Sequence, residues 1–305
     1  MFTGCGTALV TPFRANGSLD EAALRKLVRR QIEHGIDFLV PCGTTGESPT
    51  LTRDEHLRVV EITVKEAAGK TPVLAGAGGY NTHEVIELAR ECAQVGANGI
   101  LSVTPYYNKP TQEGLYQHYK AIAAAVPLPI IVYSVQSRTG VNVEPATLAR
   151  LAEIENIAGV KEASGNIAQI ADIATRVPQR FAILSGDDAV TIPVISLGGR
   201  GIISVVSNQV PHVMAEIARF ANEGDYARAR ELQKRYITLM QVNFIESNPI
   251  PVKYGMYRMG LLELNYRLPM VEPSAASKEK IDRVLDSLGL LTEAARTASI
   301  PGEAA

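Results

Sequence analysis

Long apolar runs are missing from this sequence. None reaches the roughly 18 residues that a helix needs to cross a bilayer, so no membrane span is expected. Blocks of one charge are missing too. Lys and Arg total 30 against 32 Asp and Glu, and no basic stripe forms, so nucleic acid and anionic membrane are poor partners. Cysteine is scarce: Cys5, Cys42 and Cys92 lie far apart in no pairing motif, which fits a reducing, cytoplasmic setting. The opening "MFTGCGTALVTPF" lacks a charged n-region and a long apolar h-region, so no secretory signal is expected. His34, His56, His118 and His212 are scattered, and the i,i+4 pair His83 and Glu87 falls short of a ligand set, so no metal is expected. The first strand carries only "GCGTAL", without the third glycine of a dinucleotide loop. "SNQVP" is not a glycine-rich phosphate loop, and "LGGRG" stands before a strand, at the wrong end for phosphate. No pyridoxal phosphate or flavin signature is present, so no cofactor is expected. Low complexity is confined to the end, where "TASIPGEAA" is small and polar and residues 296–305 are expected to fray.

What is present is a chain of 305 residues, 46% hydrophobic, with alternating β-branched runs and amphipathic stretches. Eight strands are predicted: 5–11, 38–42, 72–78, 99–105, 129–135, 157–163, 181–186 and 201–206. Helical patterns fill the intervals. "SLDEAALRKLVRRQIEHG" has Ser18 as candidate N-cap and Gly35 as stop, and "NTHEVIELARECAQVG" runs from Asn81 or Thr82 to Gly96. Eight strand–helix units in series over about 225 residues point to an α/β (β/α)8 TIM barrel rather than an open doubly wound sheet. From Asp225 onward three helical stretches follow with no strand between them. The expected organisation is therefore a barrel over 1–224 and a C-terminal helical region over 225–295.

In such a barrel the chemistry sits at the C-terminal ends of the strands. Lysine is almost never buried without a partner, yet Lys161 ends the apolar run "IAGV". Alternation puts Ile157, Gly159 and Lys161 on one face, and Ile131 with Tyr133 on another. Tyr133 precedes Lys161 by 28 residues, about one βα unit, so the two are expected side by side on adjacent strands. A lysine in a dry mouth loses hydration, which favours the neutral, nucleophilic amine. Such an amine forms a Schiff base with a ketone or aldehyde, and a neighbouring phenol can move the protons. The competing reading is an ion pair of Lys161 with Glu162, Asp187 or Asp188.

Two further segments fall on the same barrel face. "GTTGE" offers backbone N–H groups at Gly43 and Gly46 and the hydroxyls of Thr44 and Thr45, suited to a carboxylate. Its plain alternative is an ordinary turn with Glu47 near a helix start. Arg138 in "SRTG" supplies a guanidinium fork for a second carboxylate, with a surface ion pair as its alternative.

"GTTGES", "TPYYN", "SRTG", "GVKEASGN", "LSGDD" and "ESNPIPVK", in this order and spacing, resemble the dihydrodipicolinate synthase / N-acetylneuraminate lyase superfamily, most closely its dihydrodipicolinate synthase family. The similarity runs from about Gly4 to Leu291. It implies a lyase without a cofactor that condenses pyruvate with aspartate 4-semialdehyde, on the way to diaminopimelate and lysine. It further implies Lys161 as the Schiff-base lysine and Tyr133 as the proton shuttle, with Thr44 linking Tyr133 to Tyr107 from a neighbouring subunit of a homotetramer, a dimer of dimers. Thr45 would hold the pyruvate carboxylate and Arg138 that of the aldehyde, with Gly186 and Ile203 lining the pocket. Ser48, His56, Glu84 and Tyr106 match positions that line a lysine-binding regulatory pocket in some members. There Pro49, Arg53 and Tyr80 depart from the pattern. Ser134 and Gln136 also depart, standing where Asn and Pro are usual, which bears on second-substrate identity and turnover. Two other functions compete: a pyruvate-dependent aldolase or dehydratase for a sugar acid, and a silent keto-acid-binding relative.

Overall fold

The structure is a computed structural model and describes residues 2–292. The expected tail at 296–305 lies outside the described residues. The eight strands are β1 (Gly4–Ala8), β2 (Phe38–Val40), β3 (Leu74–Gly76), β4 (Gly99–Val103), β5 (Ile130–Ser134), β6 (Ile157–Glu162), β7 (Ala182–Ser185) and β8 (Gly201–Ser204). Each matches a predicted run and is shorter, because the strand ends peel away into the βα loops. The helices are α1 (Glu21–Glu33), α2 (Arg53–Ala67), α3 (Thr82–Gln94), α4 (Gln112–Ala125), α5 (Gln136–Thr139) and α6 (Pro145–Leu151). They continue with α7 (Ile167–Arg176), α8 (Thr191–Ser196), α9 (Pro211–Asn222), α10 (Tyr226–Val242), α11 (Ile250–Arg258) and α12 (Ala275–Ser287).

All strand pairs are parallel, in the order β2-β1-β8-β7-β6-β5-β4-β3. A parallel bridge between Leu39 and Val73 joins the two ends, so the sheet closes as a (β/α)8 barrel. Inside it pack Phe38, Leu74, Leu101, Ile131, Tyr133, Leu184 and Ile203. Gly6 makes room there: a Cβ on it would lie 2.1 Å from the Phe38 ring. The larger core lies between the sheet and the helices, and includes Val132 and Val160 from the outward faces of β5 and β6.

Two local readings are corrected. Helix α1 is capped by Asp20, whose side chain accepts from Ala23 N–H, and not by Ser18. Ile157 does not share a face with Lys161. Ile130 pairs with Ile157 but Ile131 pairs with Gly159, so Ala158 is an extra residue in β6. This bulge turns Ile157 to the outer core and Ala158 inward, and leaves Gly159 and Lys161 on the inner face. Alternation alone does not register an inserted residue.

The helices after Asp225 lie against the barrel through buried contacts. Val252 and Met256 of α11 pack with Val10 and Val205, at the C-terminal ends of β1 and β8. The chain after the barrel thus covers part of the mouth.

Candidate active site

Tyr133 and Lys161 are register partners on β5 and β6. Both are buried, and Lys161 Nζ lies 4.3 Å from the centre of the Tyr133 ring. The competing ion-pair reading fails. The Glu162 carboxylate accepts from Ser164 N–H and from Gln169 Nε2 at 3.0 Å. Asp187 caps Ala189 N–H. Asp188 accepts from Ser204 Oγ at 2.5 Å and from the amides of Val205 and Val206, and burial pushes its carboxyl up to about 6. Among the described residues, no carboxylate pairs with Lys161.

A cavity of about 440 Å³ opens beside Tyr133. Thr44, Tyr106, Tyr133, Val135 and Arg138 line it, and it extends past Ser48, Pro49, Arg53 and His56. Two arginines therefore line it. Arg53 is bound to Glu91, Nε to Oε2, at 2.6 Å. Arg138, on the short helix α5, has no carboxylate partner among the described residues; its Nη2 donates to the carbonyl of Asn248 at 3.1 Å. His56 is buried, with Nε2 2.7 Å from the Gly76 carbonyl, and desolvation pulls its pKa down.

The remaining expected residues divide. Thr44 opens a 3₁₀ turn over Thr44–Gly46 and faces the cavity. Thr45 is buried next to that lining and accepts from Asn248 Nδ2 at 2.9 Å. Gly186 N–H donates to the Glu162 carbonyl at 2.7 Å, and a Cβ there would come within 2.6 Å of Ala163 Cβ. Ile203 is fully buried inside the barrel, opposite Gly6. Neither Gly186, Ile203 nor Lys161 is among the residues lining the cavity; Tyr133, whose ring lies against Lys161 Nζ, is. Tyr107 does not meet Thr44 within the chain: its side chain is 91% exposed. Tyr106 is half-buried and packs edge-on to Tyr80, ring centres 5.2 Å apart. Glu84 accepts from Asn81 Nδ2 at 2.9 Å.

The two departures beside Arg138 sit away from the inner face. Ser134 pairs with Glu162, and its Oγ accepts from Val143 N–H at 3.2 Å. Gln136 is exposed and begins α5, its carbonyl accepting from Gly140 N–H at 2.9 Å. A helical turn thus does the holding that a fixed proline φ would do.

Sequence reasoning missed the links from the C-terminal helices. Glu47 is not a plain turn residue. It is buried with φ +52, and its Oε1 meets Lys253 Nζ at 2.6 Å. Lys253 is fully buried and also donates to the carbonyls of Thr11, at 3.1 Å, and Asn265, at 2.8 Å, over the rings of Phe13 and Tyr266. Burial pulls its pKa down, with Glu47 opposing. A signal was present: "IPVKYGM" embeds a lysine in apolar residues just as "IAGVKEA" does.

A closed (β/α)8 barrel with a buried lysine beside a tyrosine, and no carboxylate on that lysine among the described residues, defines a class of carbonyl-handling enzymes. Residues 1–288 match the model of the dihydrodipicolinate synthetase family, and the chain belongs to that family. It is 52% identical over 292 residues to 4-hydroxy-tetrahydrodipicolinate synthase of Koribacter versatilis, covering 95% of this chain and 97% of that one. Among solved structures, the dihydrodipicolinate synthase of Aquifex aeolicus superposes with a TM-score of 0.94 at 45% identity, over 96% of this chain and all of that one. The chloride-inhibited enzyme of Acinetobacter baumannii, solved in complex with pyruvate, gives a TM-score of 0.94 at 41% identity, over 95% of this chain and 100% of that one.

Proposed function

We propose that this chain is a lyase that condenses pyruvate with L-aspartate 4-semialdehyde to 4-hydroxy-tetrahydrodipicolinate. The observation that carries the reading is Lys161, buried on the inner face, with no carboxylate partner among the described residues and Tyr133 against it. The Lys161 amine adds to the pyruvate ketone, and water leaves as the imine forms. Tyr133 moves the protons. Loss of a proton from the pyruvate methyl gives an enamine, whose carbon attacks the aldehyde. The amino group of that substrate then displaces Lys161, closes the ring and frees the enzyme. Thr44 and Thr45 serve the pyruvate end, Arg138 holds the carboxylate of the aldehyde, and Gly186 and Ile203 back the site. The relative solved with pyruvate supports the first substrate. A coupled assay with pyruvate and aspartate semialdehyde tests the whole; turnover only with sugar-acid aldehydes would overturn it.

Arg138 faces the cavity without a carboxylate partner among the described residues, so Arg138→Ala is expected to damage mainly use of the aldehyde. Arg138 is exposed in this structure, so the loss is that of hydrogen bonding to a charged group, about 1.5–3 kcal/mol in kcat/KM for that substrate. Trapping of pyruvate on Lys161 should persist. Equal loss of both would make Arg138 a scaffold residue.

The working form is a homo-oligomer, a tetramer built as a dimer of dimers, in the cytoplasm. An i to i+2 bond from Asn108 N–H to the Tyr106 carbonyl, at 2.7 Å, wraps the chain around Tyr107, which has φ +67. A bulky residue in that region is strained, and within this chain the strain only displays the phenol outward. A second copy supplies what Tyr107 packs against. Light scattering should find more than the 32.8 kDa of one chain, and a fully active monomer would refute the assignment.

Inhibition by lysine is expected to be weak or absent. Arg53 lines the cavity alongside Ser48, His56 and Tyr106, while Glu84 is engaged by Asn81 and Tyr80 stands against Tyr106. Lysine carries two ammonium groups, and one placed beside Arg53 loses about 1 kcal/mol or more. Titration into the coupled assay decides it: half-inhibition below about 1 mM, near −4 kcal/mol, would show a working regulatory pocket.

A further inference from the structure

We propose that Asn248 is a positioning residue that sets the hydroxyl polarity of Thr45 and the placement of Arg138. The C-terminal helices would thereby fix the two carboxylate-holding groups relative to each other; the proposal rests on the reading of the site given above. Asn248 lies in the turn before α11 and is 5% exposed. Its Nδ2 donates to Thr45 Oγ1 at 2.9 Å, and its main-chain carbonyl accepts from Arg138 Nη2 at 3.1 Å. No hydrogen bond among the described residues joins Thr45 and Arg138 directly, so Asn248 is the link between the turn after β2 and the helix after β5. Lys253, five residues further on and locked to Glu47, anchors this link to the same turn that carries Thr45.

The direction of the Thr45 bond matters. A hydroxyl has one hydrogen to give. With Asn248 donating to the oxygen, the hydrogen of Thr45 stays free, and no acceptor for it is found among the described residues. A free O–H beside a carboxylate site is a donor for an anion. The other end of the amide, Asn248 Oδ1, is buried with no hydrogen-bond partner among the described residues. An aspartate here reverses the polarity. A carboxylate only accepts, so Thr45 must turn its hydrogen away from the substrate, and the new anion competes for Arg138.

The test compares Asn248→Ala, Asn248→Asp and the isosteric, donor-free Asn248→Leu with the unaltered protein. Pyruvate half-saturation is read from borohydride trapping on Lys161, KM for the aldehyde from the coupled assay, and folding from thermal unfolding. Asn248→Ala and Asn248→Leu are expected to weaken pyruvate on the order of tenfold, the worth of one hydrogen bond serving a charged group. Asn248→Asp is expected to be worse than either for both substrates, although it is closest in shape. A merely structural role predicts the reverse order, with Asp best. That order, or pyruvate half-saturation within about twofold in Ala and Leu alike, overturns the proposal. If Asn248→Asp fails to fold, the Leu variant decides alone by its pyruvate half-saturation. Absence of trapping in the unaltered protein overturns the Schiff-base reading first, and is thereby distinguishable.

Discussion

Borohydride added with pyruvate is expected to inactivate the protein and to leave one reduced pyruvate on Lys161. Two lysines are deeply buried near the barrel mouth, and the structure separates them. Lys253 is held by a carboxylate and two carbonyls and is sealed from solvent. Lys161 has no such partner among the described residues and stands against Tyr133. Peptide mass spectrometry locates the adduct; finding it on Lys253 would end the assignment. Lys161→Ala should abolish trapping and turnover, since no other amine replaces the nucleophile. Tyr133→Phe keeps the ring that packs against Lys161 and removes only the hydroxyl. It should still trap, but with a rate loss of about 10²–10⁴-fold, the usual worth of general acid–base help. Unchanged rates in Tyr133→Phe would move the proton transfers to another group.

The second large effect is on stability. Lys253→Met should cost about 3–5 kcal/mol, because it leaves Glu47 as a buried, unpaired charge. The Lys253 and Glu47 side chains are 0% and 1% exposed, so water cannot replace the lost partner. The carbonyls of Thr11 and Asn265 lose their donor as well. The double variant Glu47→Leu with Lys253→Met removes both charges and should recover most of that loss, since the left-handed backbone at residue 47 already carries a side chain. Denaturant midpoints measure both. A single variant as stable as the unaltered chain would mean that Glu47 takes up a proton at little cost. The single variant should also weaken pyruvate binding, since Glu47 lies two residues beyond Thr45.

Much of this molecule was legible in its sequence because its regular elements are set by local periodicity. The eight strands are short apolar runs between amphipathic helices, and all eight appear where the pattern puts them. A parallel barrel repeats one unit, so a spacing of one unit reads as adjacency. That is why Tyr133 and Lys161 could be placed side by side, and they are register partners. Local sequence did less well where local rules compete. Ser18 and Asp20 are both good caps, and only the turn bridged by Phe13 and Leu19 decides between them in favour of Asp20. The bulge at Ala158 has no signature in the pattern of "IAGVKEA", and it alone decides that Ile157 faces outward.

The sequence by itself therefore determined the barrel, the order of its units and the inward lysine beside a tyrosine. Tertiary structure decided what holds that site in shape. Asn248 reaches Thr45 across 203 positions of sequence, and Lys253 reaches Glu47 across 206. Periodicity reports which face of an element is apolar, and carries no information on which distant polar groups share a buried space. Those partners are chosen only when the last helices fold back over the barrel mouth. There, burial raises the cost of every unpaired charge, so that Lys253 must find Glu47.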